Sequence, residues 1–495
     1  MTRPVVVLGD LVVDQTLAIE RFPLKPGEHQ RVASAHFSPG GAANTLIMGA
    51  RLGLPMQAVG VVGQDAAGDA LLLALAAEHV NTDDVMRLPD SQTHTVYSLV
   101  APDGQHIFLG HLGASPPDAL PPRWAQAVQG AAALFFDGWN YREGYGQVCL
   151  QAAELARLHR VPVFFDPGPD YPGFSPEWLA GVLACTHTLL ATEDELRGLM
   201  GNPPASLEDA ARLALQRGVG RVVVKRGARG SLLIAADGQV EHTGYPAEAR
   251  DTSGAGDALA AAMLYALAHG YADGEALALA NAVGAAAVTK LGAGLNMPTR
   301  EEVIAVLRAA GGDALLSRHA RRALIVVDLQ KGFMNAHTAH IPALVAAFIR
   351  QARLEPVIFT RFVNQPRSPY ERFLDWREMH HPPDTDLVDE LLPLAGHVLV
   401  KHTYTALTPE LLTLLKGADE VLLVGVDTDA CVLKTAFDLF EAGYRVRVIA
   451  DLCATAEGPA MHEKALAVIQ RNIGAQCVAS ASQMLAAMGA SQAGR

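Results

Sequence analysis

The chain has 495 residues, with 39 Lys plus Arg against 52 Asp plus Glu and a formal net charge of −13. That length exceeds a single hydrophobic core and points to two or three domains. With 50% hydrophobic and 18% charged residues the chain is not mostly disordered, and its acidic balance argues against nucleic acid or anionic lipid as the main partner.

In chain order, MTRPVVVLGDLVVDQ is a short apolar run interrupted by acids, without a small-residue cleavage pattern, so it reads as a first strand and not as a signal peptide. Further short β-branched or aromatic runs at Ala58–Val62, Leu134–Asp137, Val163–Asp166 and Val222–Lys225 alternate with helical-period stretches, the βαβ rhythm of a parallel sheet. Two segments break the rhythm. Thr95–Val100 and His106–Gly110 flank PDGQ, Ser231–Ala235 and Val240–Tyr245 flank ADGQ, and Asp-Gly between apolar runs signals a hairpin. The first hairpin, with Arg31–Ser38, is expected to form a small β lid over a sheet edge. The Ala-rich stretch Ala255–Ala293 is broken by His269, Asp273 and Glu275, so it reads as a pair of buried helices and not a membrane span.

The pattern stops at AAGGDALLSRHARR, which sets the expected domains at 1–312 and 320–495. A second alternation follows, with strands at Ala323–Val327, Val357–Thr360, Val398–Val400, Val421–Val426 and Val446–Ala450, enough for one doubly wound domain. No repeat relates the halves. The five cysteines show no CxxC pair and no metal-ligand spacing, which fits a reduced, cytoplasmic chain. Lysine is scarce, eight in all, so a Lys placed where Arg would be the default draws notice.

In the first half, Asp251-Thr-Ser-Gly-Ala-Gly-Asp257 precedes the Ala-rich helix. Gly254 and Gly256, with Ala255 between them, allow a tight turn whose N–H groups face an anion at the helix start. Asp257 beside such a pocket can take the proton of a hydroxyl that attacks a phosphoryl group. A helix start with turn glycines is the plainer reading of this segment alone. The heptapeptide resembles the DTxGAGD signature of the ribokinase-like, or PfkB, sugar and nucleoside kinases, and the likeness spans residues 1 to about 310.

Under that resemblance Asp14, ending GDLVVD, is the sugar-hydroxyl acceptor. Gly40, Gly41 and Asn44 of PGGAANTLIMGARLG approach the substrate, and VVGQDAAGD matches a further family segment. Lys225 and Gly227 of KRGARG lie near the nucleotide phosphates, together with Asp251, Gly254, Ala255 and Gly256. At ATEDEL the family usually has Asn followed three residues later by Glu, tied to metal and phosphate. Thr192 replaces the Asn while Glu195 remains, so metal dependence is in question, and an exposed acid favoured by the helix dipole is the plainer reading of Glu195. Trp139, Asn140 and His111 can line a pocket or serve in packing or at the surface. The implied cofactors are ATP with Mg²⁺ and a monovalent cation such as K⁺.

In the second half, Asp328 ends ALIVVD, Lys401 ends HVLVK, and Cys431 follows VLLVGV after a short turn. Residues at the carboxyl ends of parallel strands share one crevice, so the three can meet. A helix start and a neighbouring ammonium each lower a thiol's pKa, and Asp328 can take its proton, giving an activated nucleophile. Singly, the three read as a helix cap, a surface charge and a buried small residue. Together they resemble the Asp-Lys-Cys triad of the isochorismatase-like cysteine hydrolases, from about Arg322 to the C-terminus. That resemblance implies a cis peptide at Val426–Asp427, an oxyanion hole from the backbone N–H groups of Asp427 and Cys431, and C–N cleavage through an acyl-enzyme. His337 and His340 do not match the spacing of the nicotinamidase-like Asp-x-His metal site, so no zinc is expected, and His380-His381 reads as a loop.

The combined expectation is an α/β chain, a ribokinase-like sandwich with a β lid followed by a doubly wound isochorismatase-like domain. It is a bifunctional cytoplasmic enzyme, an ATP-dependent sugar or nucleoside kinase joined to an amidohydrolase. Its expected partners are small molecules and further copies of itself, with neither nucleic acid nor membrane. The rival readings are a kinase-like sensor regulating the hydrolase and a scaffold with two relic pockets.

Overall fold

The computed structural model describes residues 3–102, 105–201, 206–312, 314–317, 322–352, 354–416 and 418–488. The chain divides into two compact units, residues 1–313 and 314–495. The strands of the first are β1 (Val5–Leu8), β2 (Leu11–Ala18), β3 (Ser34–Gly41), β4 (Met56–Gly63), β5 (Asn81–Leu88), β6 (Thr95–Val100), β7 (His106–His111), β8 (Ala133–Asp137), β9 (Val163–Asp166), β10 (Thr188–Thr192), β11 (Arg221–Lys225), β12 (Ser231–Ala235) and β13 (Gly238–His242). Nine of them form one sheet in the order β13-β12-β11-β10-β9-β8-β1-β4-β5, parallel from β11 to β5 and closed at one edge by the antiparallel hairpin β12–β13.

Strands covered by helices on both faces read as continuous apolar runs, which is why VVVL and LFFD stand out in the sequence. All four residues of β1 are buried. Large residues such as Phe136, Phe165 and Trp124 fill one face. The Ala-rich stretch forms the helices Ala255–Ala268 and Asp273–Val288, which pack on each other through buried alanines.

The lid is a four-stranded sheet in the order β3-β2-β6-β7. The hairpin β6–β7 and the Arg31–Ser38 segment belong to it as expected; Asp103 and Gly104 of its turn lie outside the described residues. Its remaining strand, β2, is one the sequence pattern did not separate from the first: Asp14 lies within it, opposite Ser38 of β3 and Val96 of β6. With only Gly9 and Asp10 between β1 and β2, the chain passes directly from sheet to lid, carrying Asp14 with it.

The second unit contains β14 (Arg322–Val327), β15 (Val357–Phe362), β16 (His397–Lys401), β17 (Glu420–Gly425), β18 (Val446–Cys453) and β19 (Val478–Ala479), in the order β16-β15-β14-β17-β18-β19. Every pairing is parallel. The winding reverses between β14 and β17, which opens a crevice beyond their carboxyl ends. Separate apolar cores cover the two faces. At the opposite end Glu420 is buried between two arginines, 2.7 Å from Arg322 Nε and 2.8 Å from Arg447 Nε, tying the starts of β14, β17 and β18 together.

Candidate active sites

In the first unit the helix Ala255–Ala268 starts at Gly254, whose φ of 72° is a left-handed value. A Cβ there would also lie 2.6 Å from Met297 Cε and 2.7 Å from Ala293 Cβ, so both torsion and space call for glycine. Asp251 braces the turn by accepting the N–H groups of Ser253 and Gly292, each at 2.8 Å. No side chain caps the helix, which leaves its first turn open toward an anion.

Asp257 stands in that turn. Its Oδ2 accepts a 2.9 Å hydrogen bond from Asn44 Nδ2, and Asn44 Oδ1 in turn accepts the Gly294 N–H at 2.9 Å. Burial pushes the Asp257 carboxyl up to about 7 against the pull of Asn44, with Asp166 adding to the rise and Lys225 opposing it. Asp14 is likewise pushed up by burial, to about 6, with His94 opposing. The lid places Asp14 against bare backbone, for a Cβ on Gly40 would lie 2.2 Å from its Oδ2. Gly41 has φ 58°, and a Cβ there would meet the Asp10 carbonyl at 2.6 Å.

Lys225, at the end of β11, is gripped by Asp166 Oδ2 at 2.6 Å and Oδ1 at 2.9 Å, with Glu195 at 3.7 Å. Burial opposes its charge, but Asp166 and Glu195 outweigh that and hold the ammonium protonated. A Cβ on Gly256 would stand 3.7 Å from Lys225 Nζ, so the cation sits at the open helix turn. Gly227, at φ 56°, opens the turn that follows β11.

Thr192 and Glu195 depart from the sequence reading. They form a reciprocal cap: Thr192 Oγ accepts the Glu195 N–H at 3.2 Å, and Glu195 Oε2 accepts the Thr192 N–H at 2.7 Å. Glu195 is therefore not an exposed acid, since its side chain is only 13% exposed and faces Lys225. Both residues thus cap the helix start, with Glu195 also facing Lys225. Asn140 is buried and bridges the Leu8 carbonyl and the Asp10 N–H, while Trp139 and His111 are exposed.

The sequence reading missed Asp166, Asp137 and the buried contact of Asp10 with His94. Asp137 and Asp166 end adjacent strands in register, and burial, with Asp257 and Asp166 adding to it, pushes Asp137 up to about 8. The signal was present: LFFD and VFFD end in Asp just as ALIVVD does.

In the second unit the three separated residues meet. Asp328 is fully buried at φ 49°, its Oδ1 accepting the Thr360 hydroxyl at 2.7 Å and its N–H reaching Thr360 Oγ1 at 3.1 Å. Lys401 Nζ lies 2.7 Å from Asp328 Oδ2 and 3.2 Å from Cys431 Sγ, and it donates to the carbonyls of Thr403 at 2.9 Å and Tyr404 at 3.2 Å. Burial opposes the lysine charge, but Asp328 and Cys431 raise its pKa further than burial lowers it.

The thiol corrects the sequence reading. Lys401 does favour the thiolate, yet burial first and the Asp328 carboxylate second hold Cys431 well above the usual thiol range.

The turn that carries Cys431, Thr428–Val432, runs into the helix Leu433–Glu441, and the Val426–Asp427 peptide is cis. Thr428, Ala430 and Val432 donate their N–H groups to the carbonyls of Ala454, Asp427 and Asp427, whereas Asp427 and Cys431 are not among these donors. Asp427 Oδ1 accepts the Ala456 N–H at 2.8 Å, and burial pushes its carboxyl up to about 6.

An aromatic group that the sequence reading missed surrounds the lysine side of the triad. Phe362 lies 5.2 Å from Lys401 Nζ, Tyr370 packs 5.3 Å from Phe362 and 5.1 Å from Tyr404, and Trp376 stacks on Phe333 at 6.4 Å. Burial pushes the Tyr370 phenol up to about 12, with Cys431 contributing. His337 packs beside Gly458, His340 is exposed, and His380 pairs with Glu371 at 3.1 Å.

A parallel α/β unit with a β lid over an uncapped, glycine-started helix defines a sugar-kinase class of site, and a doubly wound unit with Asp, Lys and Cys in one crevice defines a hydrolase class. The comparisons agree. Residues 2–300 match the pfkB family carbohydrate kinase model, and residues 322–482 match the isochorismatase domain model. The chain belongs to the pfkB carbohydrate kinase family, with a ribokinase-like kinase unit fused to an isochorismatase-like domain.

Among relatives, it is 29% identical to a ribokinase of Arabidopsis thaliana over 316 residues, 62% of this chain and 81% of that protein. It is 30% identical over 448 residues to the bifunctional protein HldE of Azorhizobium caulinodans, 84% of this chain and 90% of that protein. The structure of Arabidopsis thaliana ribokinase complexed with ribose and ATP superposes with a TM-score of 0.56 and 29% identity, covering 62% of this chain and 99% of that one. Among the described residues no helix is long and apolar enough to cross a membrane.

Proposed function

We propose that the first unit transfers the γ-phosphoryl group of ATP to a hydroxyl of a sugar or nucleoside, and that the second hydrolyses a carboxamide of a small metabolite through Cys431. For the kinase, the observation that carries the reading is a buried carboxyl, Asp257, set beside an open helix start with Lys225 across from it. The relative solved with ribose and ATP supports the substrate classes. Asp14 orients the acceptor, and Asp257 takes the proton of its hydroxyl as the oxygen attacks phosphorus and ADP leaves. The helix turn and Lys225 hold the charge that spreads over the transferring oxygens. Mg²⁺ bound with the nucleotide would supply neutralisation of its phosphates.

For the hydrolase, the carrying observation is the contact of Asp328, Lys401 and Cys431. As Sγ attacks the amide carbon, its proton passes to Asp328, and the carbonyl oxygen takes the charge toward the N–H groups of Asp427 and Cys431. The C–N bond breaks, and Asp328 returns the proton to the leaving nitrogen. Water then attacks the thioester, gives its proton to Asp328, and releases a carboxylic acid and the thiol. The aromatic group beside the triad favours a planar acyl portion.

One experiment tests both halves. ATP turnover is screened over pentoses, hexoses and nucleosides, and ammonia release over carboxamides, with Asp257→Asn and Cys431→Ala as controls. Each reading fails if its activity survives its own substitution. ATP binding without turnover on any acceptor would favour a sensing first unit.

A further inference from the structure

The second unit contains a cavity of about 430 Å³ that the triad does not use. It lies on the reverse side of β15 and the edge strand β16. Side chains alternate across a strand. Thr360 and Phe362 face the triad, and Arg361 between them faces the cavity; Lys401 faces the triad, and Val400 before it faces the cavity. The cavity therefore backs onto β16, which ends in Lys401, and onto β15, whose Thr360 hydrogen-bonds Asp328.

Four aliphatic residues, Leu387, Leu392, Val398 and Val400, line it, and the last three are 53%, 43% and 45% exposed. Two cations and two carboxylates line it, and both carboxylates act on the same cation. Lys331 is paired with Asp389 at 2.7 Å, and Asp386 acts on the same ammonium. The Arg361 side chain is half-buried and, among the described residues, makes no hydrogen bond or ion pair; its Nε is enclosed without a partner. An enclosed N–H donor without a partner is unfavourable unless something compensates it. The guanidinium fork matches a carboxylate in two parallel hydrogen bonds, and aliphatic walls favour an organic tail over a hydrated inorganic ion.

We propose that this cavity is a second ligand site that takes small monocarboxylates with an apolar tail, gripped by Arg361. Amide hydrolysis releases a carboxylate, so the ligand class includes the products of the neighbouring crevice. That relation rests on the proposed hydrolase reading, whereas the site itself does not.

The test is calorimetric titration of the full chain with hexanoate, acetate and inorganic phosphate, without turnover, so its outcome is independent of the hydrolase assignment. Hexanoate should bind more tightly than acetate or phosphate. Arg361→Gln should weaken it about tenfold or more, the change expected from a lost charge-assisted hydrogen bond. Leu392→Asp, which adds a like charge at the exposed rim, should weaken it too and serves if Arg361→Gln does not fold. Lys401→Met should leave it in place. Hexanoate binding that persists through both cavity substitutions, that disappears with Lys401→Met, or that phosphate equals would overturn the proposal. So would sedimentation showing that Arg361→Gln dissociates a dimer, which would make this face a contact between copies.

Discussion

Replacing Asp328 by Asn separates two roles that a carboxylate beside a thiol can play. In one, Asp328 promotes a resting thiolate; in the other, it accepts the proton only as Sγ attacks. The structure favours the second, because Asp328 raises the thiol pKa and Lys401 lowers it. In Asp328→Asn the amide keeps nearly the same shape for Thr360, while the ammonium 3.2 Å from Sγ loses its carboxylate. At an effective dielectric near 20, a charge pair at that distance interacts by about 5 kcal/mol, equivalent to several pKa units before desolvation is subtracted. A net fall of even about one unit raises the thiolate fraction about tenfold at a pH below the thiol pKa. Iodoacetamide should therefore label Cys431 about tenfold faster in the variant, read by peptide mapping. Amide hydrolysis should fall by roughly 100- to 10,000-fold with the loss of the proton shuttle. Labelling and hydrolysis that slow together would refute this reasoning and make Asp328 the activator of a resting thiolate.

On the kinase side, Asp257→Asn should lower phosphoryl transfer by roughly 100- to 10,000-fold while nucleotide binding, measured by titration, stays near wild type. Because Asp257 is pushed up to about 7, the wild-type rate should decline as pH falls below that value and the base becomes protonated, which a pH–rate profile checks. EDTA should stop phosphoryl transfer and spare amide hydrolysis; loss of both, with zinc restoring the second, would place a metal in the hydrolase. Asp137 has a folded-state value of about 8 against 3.8 in a model peptide, so its contribution to stability is full below about 4 and is lost as pH rises through 8. Asp137→Asn should therefore flatten the decline in melting temperature between those limits. Glu420→Ala leaves Arg322 and Arg447 without their shared carboxylate and should destabilise the second unit by about 3–5 kcal/mol in denaturant titration, as expected for a broken buried pair.

What was legible in the sequence follows from what burial does to a strand. Parallel strands covered on both faces appear as unbroken apolar runs, so β1, β8, β14 and β17 could be read directly, and the carboxyl-end rule then joined Asp328 to Lys401 and Cys431 across a wide span of chain. The same rule applied to VFFD would have reached Asp166, the residue that grips Lys225. Strand β19, two residues long, carries no periodicity to read. That Asp14 lies on a lid strand was not legible, because the sheet-to-lid passage at Gly9-Asp10 resembles any strand-ending turn. Tyr370 lies in the short helix Pro369–Leu374 and Trp376 just beyond it, in a segment too short for periodicity to mark a buried face. Depth was the least legible quantity. The spacing of Cys431 from a helix start and a lysine predicts a lowered thiol pKa, whereas the enclosure that reverses the sign appears only once the fold is complete.

Both sites rest on the same electrostatic device. Each buries one of the chain's few lysines at the carboxyl end of a strand and pairs it with carboxylates at the same end of the sheet, Asp166 two strands away and Glu195 at a helix start about Lys225, and Asp328 two strands away beside Lys401. Burying an unpaired ammonium would be strongly unfavourable, and the carboxylates offset that cost while keeping the lysine charged. In each case the lysine's environment also contains a proton-exchanging group whose pKa burial has raised: Asp257 in one unit and Cys431 in the other. A group held protonable near a fixed cation can release its proton when charge develops beside it, because the cation then stabilises the anion that forms. Arginine would supply the charge but not the same compact ammonium, whose three rotatable donors reach a carboxylate and a thiol within one small crevice at Lys401. The scarcity of lysine elsewhere is what makes these two positions stand out, and their chemistry is what the rest of each fold positions.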